Sequence, residues 1–388
     1  MRIDAHIHYT PPSLRDDLQP FAEREPYWGL LFDPGEGARS VQGWAKAEQM
    51  LSDMEQAGLD RVVIQAEYPQ KFDTAVERNT RILKLMERWP DRVSALASLH
   101  PSGGRKALYE LERCVEGGMV GVGELNPYAQ GFEFEDPDFI RIVERLIELE
   151  LPLNLHVSEP VGPYYLGRSI TPLDRIYRLA ERYPDLKLIL AHWGGGLLFY
   201  ELNPRIQRVL RHVYYDTAAT PLQYRVQDIL ETAVRIVGAG KIIYGSDYPL
   251  LLYPRSQRQP DFKTFLDQIQ AANLKDDDQS AILGGSFARL VGWLQEENLP
   301  QEEAYKAKDE KIEPELTTID RWAPVSAIAQ RWPATQRVLA KFGIRWRDEP
   351  VPHWEPLEQA AAVRGLGPQA RQRLLDELNE VIAENDTE

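Results

Sequence analysis

The chain is predicted to fold as an α/β protein, a TIM (β/α)8 barrel followed by a small all-helical C-terminal domain. Three observations carry that expectation. Strand-like and helix-like segments alternate from the start to about Gly292, the pattern of a parallel sheet joined by crossover helices. Four apolar runs end in metal-ligand residue types, and in a parallel barrel such strand ends open on one face. Apolar residues return at helical spacing in the last part of the chain.

Strand one covers 2–8, and the helix at 44–57 stops at Gly58. Strand two is the apolar run 61–66, and the helix 74–89 is ended by Pro90. Strand three at 93–99 leads to a helix at 106–116, and strand four at 119–125 to a helix at 139–149. The fifth pair is 151–156 and 173–183, with Pro184 as terminator. Strand six at 186–192 precedes a helix around 199–210, and strand seven at 213–217 precedes one at 226–236. Strand eight spans 242–247, and 262–272 and 280–290 are closing helices. Eight units in about 290 residues match a barrel. A doubly wound open sheet is the alternative, but no Gly-rich phosphate fingerprint follows strand one.

The expected domains are a metal-dependent barrel at 1–294, a charged linker at 295–316 and a helical domain at 317–388. In the last, Val325, Ile328, Ala329, Val338, Leu339, Phe342, Leu374, Leu375, Leu378 and Ile382 give three or four short helices, with turns at Pro333, Gly343 and Gly365 to Gly367.

With 388 residues, 43% hydrophobic and 27% charged, the composition is that of a soluble globular protein. No stretch of eighteen apolar residues and no basic, apolar leader is present, so neither a membrane span nor a secretory signal is expected. The single cysteine, Cys114, suits packing in a helix and a reducing, cytoplasmic compartment. A net charge of −15 argues against nucleic acid as a partner. It leaves an anionic small-molecule substrate open, because a bound cation makes its own site positive.

The chemistry is expected at the strand ends. Period-2 alternation sets His6 and His8 side by side, and two imidazoles there can chelate one divalent metal. His156 and His192 close two further apolar runs, and Asp247 closes a third. In the proposed site His6, His8, His156 and Asp247 hold the ion, Asp247 also takes a proton from a metal-activated water, and His192 is a general acid or base, or polarises the substrate. Zinc is the expected ion, with manganese and iron open to the same donors. Glu124 ends strand four. It either orients a histidine or bridges two metals; in the second case His156 and His192 bind the second ion, otherwise one ion is expected. Around the mouth, Glu67, Tyr68, Asp216, Thr217 and the long loop 9–41 with Arg15, Arg24, Tyr27 and Trp28 are candidate lining, whereas His100, His212 and His353 are expected to be structural.

The segments Asp4-Ala5-His6-Ile7-His8, Leu155-His156, Ala191-His192-Trp193-Gly194-Gly195-Gly196 and Tyr244-Gly245-Ser246-Asp247-Tyr248-Pro249, in that order, resemble the amidohydrolase superfamily, in the branch related to aminocarboxymuconate-semialdehyde decarboxylase. The stretch 282–290 is similar to that branch's closing helix, with Ser286 where asparagine is common. The resemblance implies the same ligands, His6, His8, His156 and Asp247, and a catalytic His192. It places the substrate near Trp193, Gly194 and Tyr248, where Gly194 to Gly196 let the backbone pass close. A glutamate like Glu124 on strand four is similar to that of TatD-like nucleases, but no Lys or Arg cluster accompanies these motifs. Residues 317–381 resemble in part the helical domain of iron–sulfur cluster repair proteins, yet Arg345-Trp346-Arg347-Asp348 stands where that family has cysteines. Trp322, Trp332, Trp346 and Trp354 would then serve packing, or a contact with a partner protein or second copy.

The reading expected first is a metal-dependent hydrolase of a small cyclic ester, lactone or amide. The alternatives are a nonoxidative decarboxylase of a ring or unsaturated carboxylate, with His192 assisting protonation at carbon, and a silent scaffold for the helical domain.

Overall fold

The structure is a computed structural model describing residues 1–16, 18–32, 40–65, 67–163, 165, 168–294, 318–344 and 355–385. The expected linker at 295–316 lies outside the described residues, as do Ala66, Arg345, Trp346, Arg347, Asp348, His353 and Trp354. The chain divides into two compact units, Met1–Gln301 and Glu302–Glu388.

Among its described residues the first unit contains eight strands: β1 (Ile3–Ile7), β2 (Arg61–Ile64), β3 (Val93–Ala95), β4 (Val122–Leu125), β5 (Leu153–Leu155), β6 (Leu188–Leu190), β7 (Val213–Asp216) and β8 (Ile242–Ile243). All pairings are parallel, in the orders β1-β2-β3 and β4-β5-β6-β7-β8. Parallel bridges Ala97↔Val122 and Ile7↔Tyr248 join the two sheets at both seams, so the barrel closes. A helix follows each strand of the β/α repeat, and amphipathic spacing explains why it packs there. Pro137–Glu148 buries Phe139, Ile142, Val143 and Leu146, a stripe at three- and four-residue steps. Burial of those four side chains contributes roughly 6–12 kcal/mol of transfer free energy.

The strands are shorter than the apolar runs, because past the last ladder bond the chain turns to aim side chains into the mouth. Two bulges do much of this aiming. Ile3 and Ala5 join an interior cluster with Val63, Leu96, Ile189, Ile243 and Phe287, whereas Ile7 packs with Met50 and Ile64 on the helix side. Plain alternation from Ile3 and Ala5 would turn His6 outward. From Asp4 to Ile7, however, three steps of β1 match two of β2, Val62 to Ile64. The extra residue resets the phase, so that His6 and His8 both face inward. The same shift on β4, Val122 to Leu125 against Leu153 to Leu155, delivers Glu124.

Two expectations are corrected. The helix placed at 199–210 is a tight 3-10 stretch, His192–Leu202, then a short helix, Pro204–Val209, since the glycine run breaks right-handed geometry and Pro204 starts a new helix. The long loop after β1 holds three short helices, Pro12–Asp16, Leu18–Arg24 and Pro26–Phe32.

In the second unit four helices are described, Val325–Arg331, Thr335–Lys341, Leu357–Val363 and Pro368–Asn385. Its own core holds Val325, Ile328, Ala329, Val338, Leu339, Leu374, Leu378 and Ile382, as the spacing predicts. No described helix is long and apolar enough to cross a membrane.

Candidate metal centre and active site

Seven titratable side chains from six strand ends meet in the barrel mouth: His6 on β1 and His8 just after it, Glu124 on β4, His156 after β5, His192 after β6, Asp216 on β7 and Asp247 after β8. His6 Nε2 and His8 Nε2 are 3.4 Å apart. Glu124 Oε2 lies 3.8 Å from each of them. Asp247 Oδ1 is 3.3 Å from His8 Nε2 and 4.0 Å from His6 Nε2. The other oxygen of Glu124 faces a second pair, 2.7 Å from His156 Nδ1 and 3.5 Å from His192 Nε2. His156 and His192 stand edge to face with ring centroids 5.0 Å apart.

Among the described residues, two groups have donor atoms close enough for one ion, His6–His8–Glu124 and Glu124–His156–His192, each within 4.8 Å. His6, His8, His156 and Asp247, the set expected for one ion, lie around Glu124, which the sequence offers as a bridge to a second site with His156 and His192. Glu124 joins the β1 histidines, and His156 stands with His192 across that carboxylate.

The residues fit a divalent cation. Imidazole and carboxylate are the donors zinc and manganese accept. Glu124 and Asp247 are buried, and burial alone would raise both. The facing histidines overcome this: His156 above all for Glu124, His8 for Asp247, so both carboxyls are held below their ordinary range. Burial likewise opposes charge on His6, but Asp216, Glu124 and Asp247 raise it to about 9. Against the same burial, Glu124, Asp247 and Asp216 raise His192 to about 10. The anionic cluster thus collects protons where a cation would otherwise sit.

Asp216 explains how two imidazoles are aimed. Its Oδ2 lies 2.7 Å from His6 Nδ1, and its Oδ1 accepts the main-chain N–H of His192 at 2.9 Å. The sequence placed Asp216 only on the rim. An aspartate ending an apolar run, like Asp247, was the available signal.

The glycine run has a definite geometry. Positive φ continues from His192 to Gly196, a left-handed turn that side chains with Cβ resist. A Cβ on Gly195 would lie 2.8 Å from Ser158 O, so the close approach is to the β5 loop. Gly123 answers a similar need, since its Cβ would lie 2.5 Å from Asn154 O, beside the residue that presents Glu124.

The substrate contacts expected at Trp193, Gly194 and Tyr248 are corrected. Trp193 is fully buried and its Nε1–H donates to Thr220 Oγ1 at 2.9 Å. Gly194 is buried and packs where a Cβ would lie 3.0 Å from the Tyr215 ring. Tyr248 stacks on Phe262 and donates its hydroxyl to Asp53 at 2.9 Å. The rings of Trp193 and Tyr248 fill space between strands and helices, and Gly194 is backbone packed closely against the Tyr215 ring.

The mouth is instead walled by aromatics. Trp28 packs edge-on against His8 with centroids 6.2 Å apart, and Tyr68 lies over His156 at 5.3 Å. Tyr27 and Phe32 join them in one cluster. Of the arginines expected in this loop, Arg24 pairs with Glu77 on the surface and Arg15 is exposed. Glu67 is engaged by Arg78, and Thr217 donates to Gly245 O. His100 caps a turn by accepting from Ser102 N, as expected of a structural residue.

Parallel strands closed into a barrel, with imidazoles and carboxylates converging at their C-terminal ends, define a (β/α)8 enzyme with a site suited to a divalent cation. The family model for amidohydrolases matches residues 3–293, and the chain belongs to that family. It is 23% identical over 248 residues to 2-amino-3-carboxymuconate-6-semialdehyde decarboxylase of Dictyostelium discoideum, covering 57% of this chain and 67% of the relative. It is 24% identical over 245 residues to 2-keto-4-carboxy-3-hexenedioate hydratase of a Sphingobium strain, covering 55% and 69%. The fold is similar to that of a dihydroxybenzoic acid decarboxylase from a Polaromonas strain, solved with manganese and the inhibitor 2-nitroresorcinol, at TM-score 0.56 and 19% identity over 77% of this chain and 99% of that one.

Proposed function

We propose that the barrel is a metal-dependent, nonoxidative decarboxylase of an aromatic or unsaturated carboxylate. The observation that carries this reading is a histidine held as a proton donor, His192, beside a carboxylate-rich cation site under an aromatic wall. Two relatives of known name support the direction, one a decarboxylase by sequence and one by fold. Hydrolysis, the reading the sequence favoured, has support only at the level of the superfamily.

His6, His8, Asp247 and the inner oxygen of Glu124 would hold the ion. When bound, the cation acts as a Lewis acid that orients the substrate and offsets negative charge on it. The chain's own residues do the rest. Trp28 stands against His8 and Tyr68 against His156, an aromatic wall beside the two imidazoles. His8 and His156 are the most open of the four imidazoles, at 11% and 12% exposure, which sets the entry side. His192, with Nδ1 directed at Ala218 O and Nε2 at Glu124, is placed to give a proton to the carbon that loses its carboxylate. The carbon–carboxylate bond breaks, carbon dioxide leaves, the proton from His192 completes the new C–H bond, and solvent then reprotonates the histidine.

Zinc or manganese suits the donors. The two faces of Glu124 also leave room for a second ion beside His156 and His192, and elemental analysis of the purified protein reads the ratio as one or two per chain. For the reaction, the metal-loaded chain is incubated with panels of aromatic acids, unsaturated acids and lactones. Carbon dioxide release, abolished in His192→Asn, is expected. Ring opening or hydration without carbon dioxide would replace this reading by a hydrolase or hydratase.

A further inference from the structure

We infer that Asp216 is a positioning residue that sets the ring orientation of His6 and His192 together. The consequence for metal affinity rests on the proposed role of His6; the placement itself does not.

Asp216 is 1% exposed and uses both oxygens. Oδ2 lies 2.7 Å from His6 Nδ1. A carboxylate only accepts, so Nδ1 carries a hydrogen and the ring is turned so that Nε2 faces His8 and Glu124. Oδ1 accepts the main-chain N–H groups of His192 at 2.9 Å and Ala218 at 3.1 Å. The carbonyl of Ala218 in turn lies 3.1 Å from His192 Nδ1. By the same logic His192 Nδ1 donates to Ala218 O, and Nε2, facing the Glu124 carboxylate, carries a hydrogen as well. His192 and Ala219 both have positive φ, 57° and 54°, a backbone state that needs such ties to persist.

An aspartate that merely capped the turn at 216–218 would account for Oδ1 alone. It would not place Oδ2 on an imidazole 210 residues away in sequence. One carboxylate therefore joins the histidine of β1 to the loop of β6, and neither ring can reorient independently.

Two substitutions separate the two ties. In Asp216→Asn the carboxamide oxygen can keep the main-chain bonds, while its NH2 faces His6 and cannot accept from Nδ1. In Asp216→Ala both ties are lost. The full-length, ion-free protein is read by NMR of the histidine ring N–H groups, assigned with His6→Gln and His192→Gln. The wild type is expected to show hydrogen-bonded Nδ1–H signals for both rings. D216N should lose that of His6 and keep that of His192, and D216A should perturb both. In D216N, affinity for Zn2+ or Mn2+ should weaken about 10–100-fold.

A wild-type His6 without a hydrogen-bonded Nδ1–H overturns the assignment, and this holds even if a variant fails to fold. An unaltered His192 signal in folded D216A removes the coupling between the rings. Wild-type protein that binds no divalent cation would sink the proposed function instead, while the ring signals still decide the role of Asp216.

Discussion

Glu124→Gln is the most informative perturbation, because one buried carboxylate serves both halves of the site. Its Oε1 is 3.5 Å from His192 Nε2. At an effective dielectric of about 20, a unit pair at that distance is worth about 5 kcal/mol, equivalent to a histidine pKa change of about 3–4. Glutamine keeps the shape and the accepting oxygen but removes the charge. In ion-free protein His192 should therefore fall from about 10 toward about 7, with Asp247 and Asp216 still holding it above its ordinary value. Histidine ring signals followed by NMR across pH 5 to 11 measure this directly. A His192 midpoint that moves by less than about one would refute the argument that Glu124 is its principal partner. The same variant should bind metal more weakly, since Oε2 faces His6 and His8.

The ion-free protein should also lose stability in alkali. His6 and His192 have folded values of about 9 and about 10, above the ordinary 6.5, so their contribution is fully present below about pH 6.5 and disappears as pH rises through 9 and 10. Thermal melts of the chelated protein should decline across that window, and melts of the metal-loaded protein should decline less, because the ion replaces those protons. Tyr248→Phe should cost about 1–3 kcal/mol in denaturant unfolding by stranding Asp53, and should leave KM unchanged; a raised KM would restore Tyr248 to the substrate site. Gly195→Ala, at φ 58° and 2.8 Å from Ser158 O, should destabilise by roughly 1–3 kcal/mol in the same assay.

Much of the fold was legible because its signals are local. Apolar runs, helical stripes and terminators such as Gly58 and Pro90 each act over a few residues, and together they specify alternating strands and helices. The histidines and Asp247 were legible at the strand ends for the same reason. Strand ends were less so: β8 forms ladder bonds only over Ile242–Ile243, although the apolar run continues. Trp193 and Tyr248 sit in the motifs that mark the site, yet their side chains face the core. Sequence adjacency to a functional residue fixes neighbourhood along the chain, and the local turn decides direction.

By itself the sequence determined a closed parallel barrel with further helices after it, and a group of imidazoles and carboxylates carried to one rim. Only the tertiary structure decided how they divide. Bulges on β1 and β4 choose which faces His6, His8 and Glu124 present, and a register shift is set by the pairing strand, not by the strand that carries the residue. Asp216 on β7 reaches His6 on β1 past the intervening β8, a relation fixed by closure between residues far apart in sequence. Which atoms of a shared carboxylate face which imidazole is a matter of a few ångströms, and that distance exists only once the chain has folded.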